Sequence, residues 1–382
     1  MVKKIKVLHI IPTLTIGGAE RQLLSLVSGY DKEKFEMKVF CTTSGGALHK
    51  EFIAAGQEPV IFDKCSKADL KFFIRLIKAI KRYKPDIVHT WLDTANIWGG
   101  LAAFIAGVKV IISSERSDGN KSRLFAFITK TLSNIFTLVI CNSRSAQDTL
   151  HKKIGIPAKK LTTVYNGIDT SRIPPIQSIR QSSRDTRSEY GIEQDDLLIG
   201  MACRIDVAKD LETFAKIAEK LTGTYYSFKM LIIGDALFPE EKTYKEQIIK
   251  LLDDKGLRDR IIITGFKNDI SKEIGMLDIY IHTSIREGLS NSIAEAMLLE
   301  KPIIATDAGG NAELIEDKVC GIIVKTGDEQ GFTDGILRLV SDKELAFGYA
   351  VKAREKILRA FSKEVMVDNM QNIYLTIKDR GK

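Results

Sequence analysis

Arg286-Glu287-Gly288-Leu289-Ser290-Asn291-Ser292-Ile293-Ala294-Glu295-Ala296-Met297 follows the apolar run Ile279-Tyr280-Ile281 and opens a helical pattern. Ser290 or Asn291 suits the N-cap, because a short side-chain oxygen accepts a bond from a free backbone N–H. Ile293, Ala294, Met297 and Leu298 give the helix one apolar face. Gly288 and the uncapped N–H groups form a small electropositive cup that fits a phosphate. Glu287 lies in the loop and Glu295 about one turn into the helix. A carboxylate only accepts hydrogen bonds, so both glutamates suit the hydroxyls of a ribose or a sugar. A helix start with a dipole-compensating acid explains Glu295 alone. It does not explain the loop acid, glycine, polar cap and helix acid together.

Working outward, a strand followed by a helix recurs along the whole chain. Apolar runs at Ile5–Ile11, Glu36–Cys41, Ile87–Thr90, Val108–Ser113 and Leu138–Cys141 alternate with helical stretches. The alternation resumes with Leu197–Ala202, Lys229–Ile233, Arg260–Thr264, Ile279–His282 and Pro302–Thr306. Such alternation predicts right-handed βαβ units and mostly parallel sheets, hence an α/β protein with doubly wound domains. The rhythm breaks after Asp169, at Pro174-Pro175 and a Ser/Arg/Gln-rich stretch without periodicity, which reads as a linker. The expected organisation is a first domain over 1–172, a linker over 173–196 and a second domain over 197–361. Two doubly wound domains leave a cleft, and such sheets bind ligands at the carboxyl ends of their strands.

The chain has 382 residues and five scattered cysteines with no Cys-x-x-Cys. That pattern argues for a reducing compartment, without a disulfide framework or a zinc site. The basic start precedes an apolar run too short for a signal segment, and no run approaches the ~20 apolar residues that span a bilayer. The net charge of +8 is unevenly spread: residues 1–190 hold 30 Lys and Arg against 16 Asp and Glu, the remainder 27 against 33. A basic front half points to an anionic partner there, either nucleic acid or an anionic membrane surface.

Three further stretches can carry chemistry. Gly17-Gly18-Ala19-Glu20 follows the first strand, where paired glycines let backbone approach a bound group. It is not Gly-x-Gly-x-x-Gly, so a dinucleotide site is not supported. Arg204 and Lys209 lie just after the first strand of the second domain. A guanidinium fork and an ammonium suit the two phosphates of a nucleotide diphosphate. Gly265-Phe266 ends another strand and could border a flat base.

In this order and spacing these stretches resemble the retaining, nucleotide-sugar-dependent glycosyltransferases of family 4, over nearly the whole chain. They are Gly17 to Glu20, Tyr165-Asn166-Gly167-Ile168-Asp169, Arg204 with Lys209, Gly265-Phe266, and Glu287 and Glu295 with seven residues between them. The resemblance implies the GT-B fold: two Rossmann-like domains facing across a cleft, with a C-terminal helix near 362–382 completing the first. It implies that Arg204 and Lys209 hold the donor diphosphate, that Glu287 faces the donor sugar and that Glu295 meets the ribose. Backbone at Leu289, Ser290 and Asn291 would meet the distal phosphate or sugar, and Gly17 and Gly18 would line the first domain's side. No separate cofactor is implied; the donor is a nucleotide diphosphate sugar, UDP-sugar favoured over GDP-sugar. Transfer places negative charge on the leaving oxygens, which fixed cations and amides stabilise. No Asp-x-Asp occurs, so no metal is expected. The family's usual His after the fifth strand is absent from Ser113-Ser114-Glu115-Arg116-Ser117-Asp118. Arg116, as a binder of an anionic acceptor group, and His89 are the candidates in its place.

On the acceptor side, residues 67–84 form a helical stretch dense in bases, with Lys71, Arg75 and Lys78 on one face. A basic amphipathic helix can lie on an anionic membrane. A polyprenyl-pyrophosphate-linked saccharide acceptor at the cytoplasmic leaflet follows as the expectation, for a cytoplasmic, peripheral hexosyl- or N-acetylhexosaminyltransferase. Two rivals stand beside it: a nucleotide-sugar epimerase of the same fold, and a basic nucleic-acid-binding protein. The second lacks any recognised nucleic-acid motif.

Overall fold

The structure, a computed structural model, describes residues 3–66 and 69–378. The chain divides into two compact units: unit one spans Met1–Gly167 and Phe361–Lys382, and unit two spans Ile168–Ala360.

Unit one holds seven strands: β1 Ile5–Ile11, β2 Phe35–Cys41, β3 Val60–Ile61, β4 Ile87–Trp91, β5 Val110–Glu115, β6 Leu138–Cys141 and β7 Leu161–Thr163. They pair in the order β3-β2-β1-β4-β5-β6-β7, all parallel. The strands read as continuous apolar runs because both faces are covered. Along β1, Val7 and Ile11 join one core while Leu8 and Ile10 join the other.

Helix Lys363–Lys378 belongs to unit one. Its Met366, Val367, Met370, Tyr374 and Ile377 recur on one side and pack against Leu23, Val27 and Phe35. Gly29 and Gly167 admit it closely, since a Cβ on either would press on Val367 or Met366.

Unit two holds β8 Leu197–Ala202, β9 Phe228–Ile233, β10 Ile261–Ile263, β11 Ile279–His282, β12 Ile303–Thr306 and β13 Ile322–Val324. Their order is β10-β9-β8-β11-β12-β13, again all parallel. In both sheets the strand order reverses direction at one point, between β1 and β4 and between β8 and β11. Crevices for ligands lie at the carboxyl ends of the strands there.

One expectation is corrected. The stretch 173–196 is not a plain linker, because it contains helix Ile176–Glu189, with Pro175 at its N-cap. Apolar periodicity is absent because much of its anchoring is polar. The Arg187 guanidinium is buried and donates to the carbonyls of Met276, Gln194 and Asp196 and to Asp278. Ile179 adds an apolar anchor against Gly275, where a Cβ would collide with it. The expected basic helix runs Leu70–Tyr83, with Asp69 capping it through Phe72 N–H. Lys67 lies outside the described residues.

Candidate active site

The reversal point of the unit-two sheet gathers a buried cluster of charge. Lys209 sits after β8 on a loop shaped by Asp206, whose carboxylate accepts from Ala208 N–H at 2.8 Å. Two bonds tie this loop to the one after β11: Ile285 N–H to the Ala208 carbonyl, 2.9 Å, and Thr283 Oγ1 to the Lys209 carbonyl, 2.8 Å. The Lys209 ammonium therefore meets the Glu287 carboxylate in a largely buried ion pair.

Glu287 is held from three sides. Its Oε1 accepts from Lys209, from His282 Nε2 at 2.8 Å and from Ser284 Oγ at 3.0 Å. All three bonds converge on Oε1, which leaves Oε2 as the oxygen able to accept a substrate hydroxyl. Burial alone would raise its pKa, but the Lys209 charge and the His282 bond more than offset that and hold it well below the usual carboxylate range. Lys209 is the mirror case: burial lowers it, Glu287 outweighs burial, and the ammonium is favoured. His282 is fully buried, and burial pulls its pKa down despite Glu287. The imidazole is thus neutral at pH 7 and donates through Nε2.

The loop after β12 completes the cluster. Gly309 has φ +55°, and a Cβ there would lie 1.7 Å from the Glu287 carbonyl oxygen. Gly310 N–H donates to the Gly288 carbonyl at 2.9 Å. Only glycine lets this backbone pass against Glu287.

Other residues singled out from the sequence fall as follows. Ser290 is the N-cap of helix Asn291–Leu298 and accepts from Ile293 N–H, while Leu289 is buried beside it. Glu295 is half-buried on the same helix, and its charge reaches Tyr280. Arg204 lies on the Lys209 loop, half exposed, paired with Asp206 at 3.0 Å and Glu241 at 2.9 Å. Gly265, at φ +77°, precedes Phe266, which is 47 % exposed at the end of β10, two strands from β8.

In unit one, Gly17 is the N-cap of helix Gly18–Gly29 and has no side chain to cap with. The Glu20 carboxylate fills that role, 2.3 Å from where a Gly17 Cβ would stand and within 3.4 Å of the Thr13 and Thr15 hydroxyls. His89 is fully buried, with Nδ1 on the Tyr374 hydroxyl at 2.6 Å and Nε2 on Ser114 Oγ at 2.8 Å. Nδ1 ties helix Lys363–Lys378 to the sheet and Nε2 ties β4 to β5, so both ring nitrogens are engaged within unit one. Arg116 is held over Trp91, 4.9 Å from the ring centre, and burial lowers its pKa to about 10.

Sequence reasoning missed His282, Ser284 and Gly309. A histidine closing an otherwise apolar strand and a Gly-Gly pair after β12 were the available signals.

Residues 16–172 match the family described as Glycosyltransferase Family 4, and residues 182–356 match Glycosyl transferases group 1. A UDP-Gal:α-D-GlcNAc-diphosphoundecaprenol α-1,3-galactosyltransferase of Escherichia coli is 24 % identical, over 97 % of each chain. An N-acetylgalactosamine-N,N'-diacetylbacillosaminyl-diphospho-undecaprenol 4-α-N-acetylgalactosaminyltransferase of Campylobacter jejuni is also 24 % identical, over 92 % of this chain and 94 % of that one. Among solved structures, Anabaena HepE in complex with UDP and glucose superposes with a TM-score of 0.86 at 22 % identity, covering 97 % of this chain and 99 % of that one. With a Family 4 domain leading and a group 1 domain following, each on its own parallel sheet, this chain belongs to the glycosyltransferases of the GT-B fold.

Proposed function

We propose that the protein is a retaining, metal-independent glycosyltransferase that moves a hexose or N-acetylhexosamine from a nucleotide diphosphate sugar, a UDP-sugar ahead of a GDP-sugar, to a lipid-linked saccharide. The observation that carries this reading is the Lys209–Glu287 pair at the reversal point of the unit-two sheet. Glu287 takes one of the three ammonium donors of Lys209 and leaves the others for phosphate oxygens. The free Oε2 of Glu287 is then the acceptor for a hydroxyl of the transferred sugar. Arg204 reaches the same diphosphate by leaving Asp206 and Glu241. Its side chain is 48 % exposed, which leaves it room to swing between these acids and the diphosphate. Glu295 serves the ribose, Phe266 flanks the base, and the amides at Leu289 to Asn291 meet the distal phosphate.

As the bond between the anomeric carbon and the diphosphate breaks, negative charge grows on the leaving oxygens. Lys209, Arg204 and the start of helix Asn291–Leu298 supply fixed positive charge there. The absence of Asp-x-Asp from the sequence supports a mechanism without a metal.

The acceptor reading draws on relatives named for diphosphoundecaprenol-linked substrates. Among the described residues no helix is long and apolar enough to cross a membrane. Surface contact is supported instead by the exposed bases of helix Leu70–Tyr83 and by helix Arg123–Leu132, where Leu124 and Phe127 are 66 % and 69 % exposed. Unit one would then work against the cytoplasmic leaflet.

A panel of nucleotide sugars in thermal-shift assays tests the donor, because a ligand that binds only the folded form raises apparent stability. Product analysis with donor alone separates transfer from epimerisation. An epimerised sugar nucleotide formed without acceptor would refute transfer.

A further inference from the structure

Arg187 shows how this fold seats an arginine whose task is structural. Its guanidinium is buried, and backbone carbonyls and Asp278 take up its donors. Arg116, at the carboxyl end of β5, is seated in the opposite way. Its Nη1 and Nη2 are both cut off from solvent with no hydrogen-bond acceptor among the described residues, and its guanidinium rests on the Trp91 ring. The neighbouring acid is already committed: Glu115 pairs with Lys121 at 2.8 Å and accepts from Ser117 Oγ at 2.6 Å. His89 offers no lone pair either, because its nitrogens serve Tyr374 and Ser114.

The same indole marks a second surplus donor. Trp91 Nε1 donates to His9 Nδ1 at 3.2 Å, which puts the His9 proton on Nε2, and that atom is buried without a partner as well. Positive charge and N–H groups are therefore in excess around Trp91. A buried guanidinium without a bonded anion loses its hydration and gains no pairing in return. Such a group is understood if its acceptor arrives with a ligand. The Arg116 carbonyl is fixed by Asn142 Nδ2 at 3.1 Å. The residue as a whole is only half-buried, so its long stem can turn outward without moving the backbone. A planar fork with paired N–H groups matches the oxygens of a phosphate.

We propose that Arg116 is an oxyanion-binding residue of unit one, resting on Trp91 in the free protein and turning outward to take a phosphate of the acceptor. This rests on the reading of unit one as the acceptor side. The residues that carry it, Arg116 and Trp91, both belong to unit one.

The chain has two tryptophans, so Trp98→Phe leaves Trp91 as the sole indole reporter. In that background, inorganic pyrophosphate is expected to change Trp91 emission saturably as the guanidinium leaves the ring. Arg116→Met should abolish the change. Arg116→Lys, which keeps the charge without the fork, should weaken it at least tenfold. Lys209→Ala, and saturation with UDP, should leave it intact. The same signal in Arg116→Met would overturn the site. Loss of the signal in Lys209→Ala or under UDP, with Arg116→Met unaffected, would assign pyrophosphate to unit two alone and overturn this proposal while leaving the donor reading standing. Calorimetry supplies the second readout: Arg116→Met should melt higher than the parent without ligand, and a lower melting point would mark the guanidinium as a structural one.

Discussion

The Lys209 ammonium and the Glu287 carboxylate, 78 residues apart in the chain, close on each other at the neighbouring carboxyl ends of β8 and β11. The pair explains how a buried acid stays ionised and how a buried ammonium is held in one place. Replacing Lys209 with Ala should lower turnover by about 10²–10³, the usual loss when one preorganised charge is removed from a developing anion. It should also destabilise unit two by ~3 kcal/mol, because Glu287 is left buried without its cation. Adding Glu287→Gln should restore part of that stability and none of the turnover. Steady-state kinetics and urea unfolding of the single and double variants check both halves, and equal stability of the parent and Lys209→Ala would contradict the pairing.

Gly309 offers a test that touches no charged group. A methyl there would collide with the Glu287 carbonyl, at a backbone angle that disfavours side chains. Gly309→Ala should cost roughly 1–3 kcal/mol of stability and about 10²-fold in turnover, through displacement of the carboxylate. A Gly327→Ala control, also at positive φ but with nothing within 4 Å of the added Cβ, should leave turnover unchanged.

Buried neutral histidines give stability a pH dependence of known sign. Burial lowers the His9 pKa to about 3, against an unfolded value near 6.5. Between those values the unfolded chain binds a proton that the folded chain refuses, so stability is complete above the unfolded pKa and falls as pH drops through the window. His89 and His282 shift in the same direction. From pH 7 to pH 5 His9 should remove about 2 kcal/mol, and His89 and His282 add losses of the same sign. Glu287, depressed in the fold, adds its own loss only below the ordinary carboxylate range. Urea midpoints at pH 7.5 and 5.0 that coincide would show these imidazoles to be solvated.

Membrane contact is tested on helix Arg123–Leu132. Leu124→Ser with Phe127→Ser removes exposed apolar surface without touching the core, since Leu132 is the buried residue of that helix. The double variant should float less with anionic vesicles and keep its thermal stability. Equal binding of the parent to neutral and anionic vesicles would count against a role for the bases of helix Leu70–Tyr83.

Chelation tests the metal. Turnover of the purified protein should be unchanged in excess EDTA, and a loss restored by a divalent ion would refute a mechanism built on Lys209 and Arg204.

Much of the unit-two site could be read from sequence because its signals are local. Glu287, Ser290 and Glu295 sit on one strand-loop-helix segment, and the cap and spacing are visible in a dozen residues. Lys209 was legible as a cation at a strand end, but its pairing with Glu287 depends on which two strands neighbour each other at the sheet's reversal. His282 was hidden because a histidine inside an apolar run declares nothing until its partner is known. Helix Ile176–Glu189 was missed since Arg187 anchors it through carbonyls, a mode that leaves no apolar stripe. The bonding of His89 could not be read because its partner Tyr374 lies 285 residues away.

The return of helix Lys363–Lys378 to unit one has a consequence for how the protein is made. Unit one begins to emerge from the ribosome first and is completed last, after all of unit two has been synthesised. Until then Leu23, Val27 and Phe35 lack the cover of Met370 and Tyr374. The nascent chain thus carries an open, greasy seat through most of its translation, while the second unit has everything needed to fold.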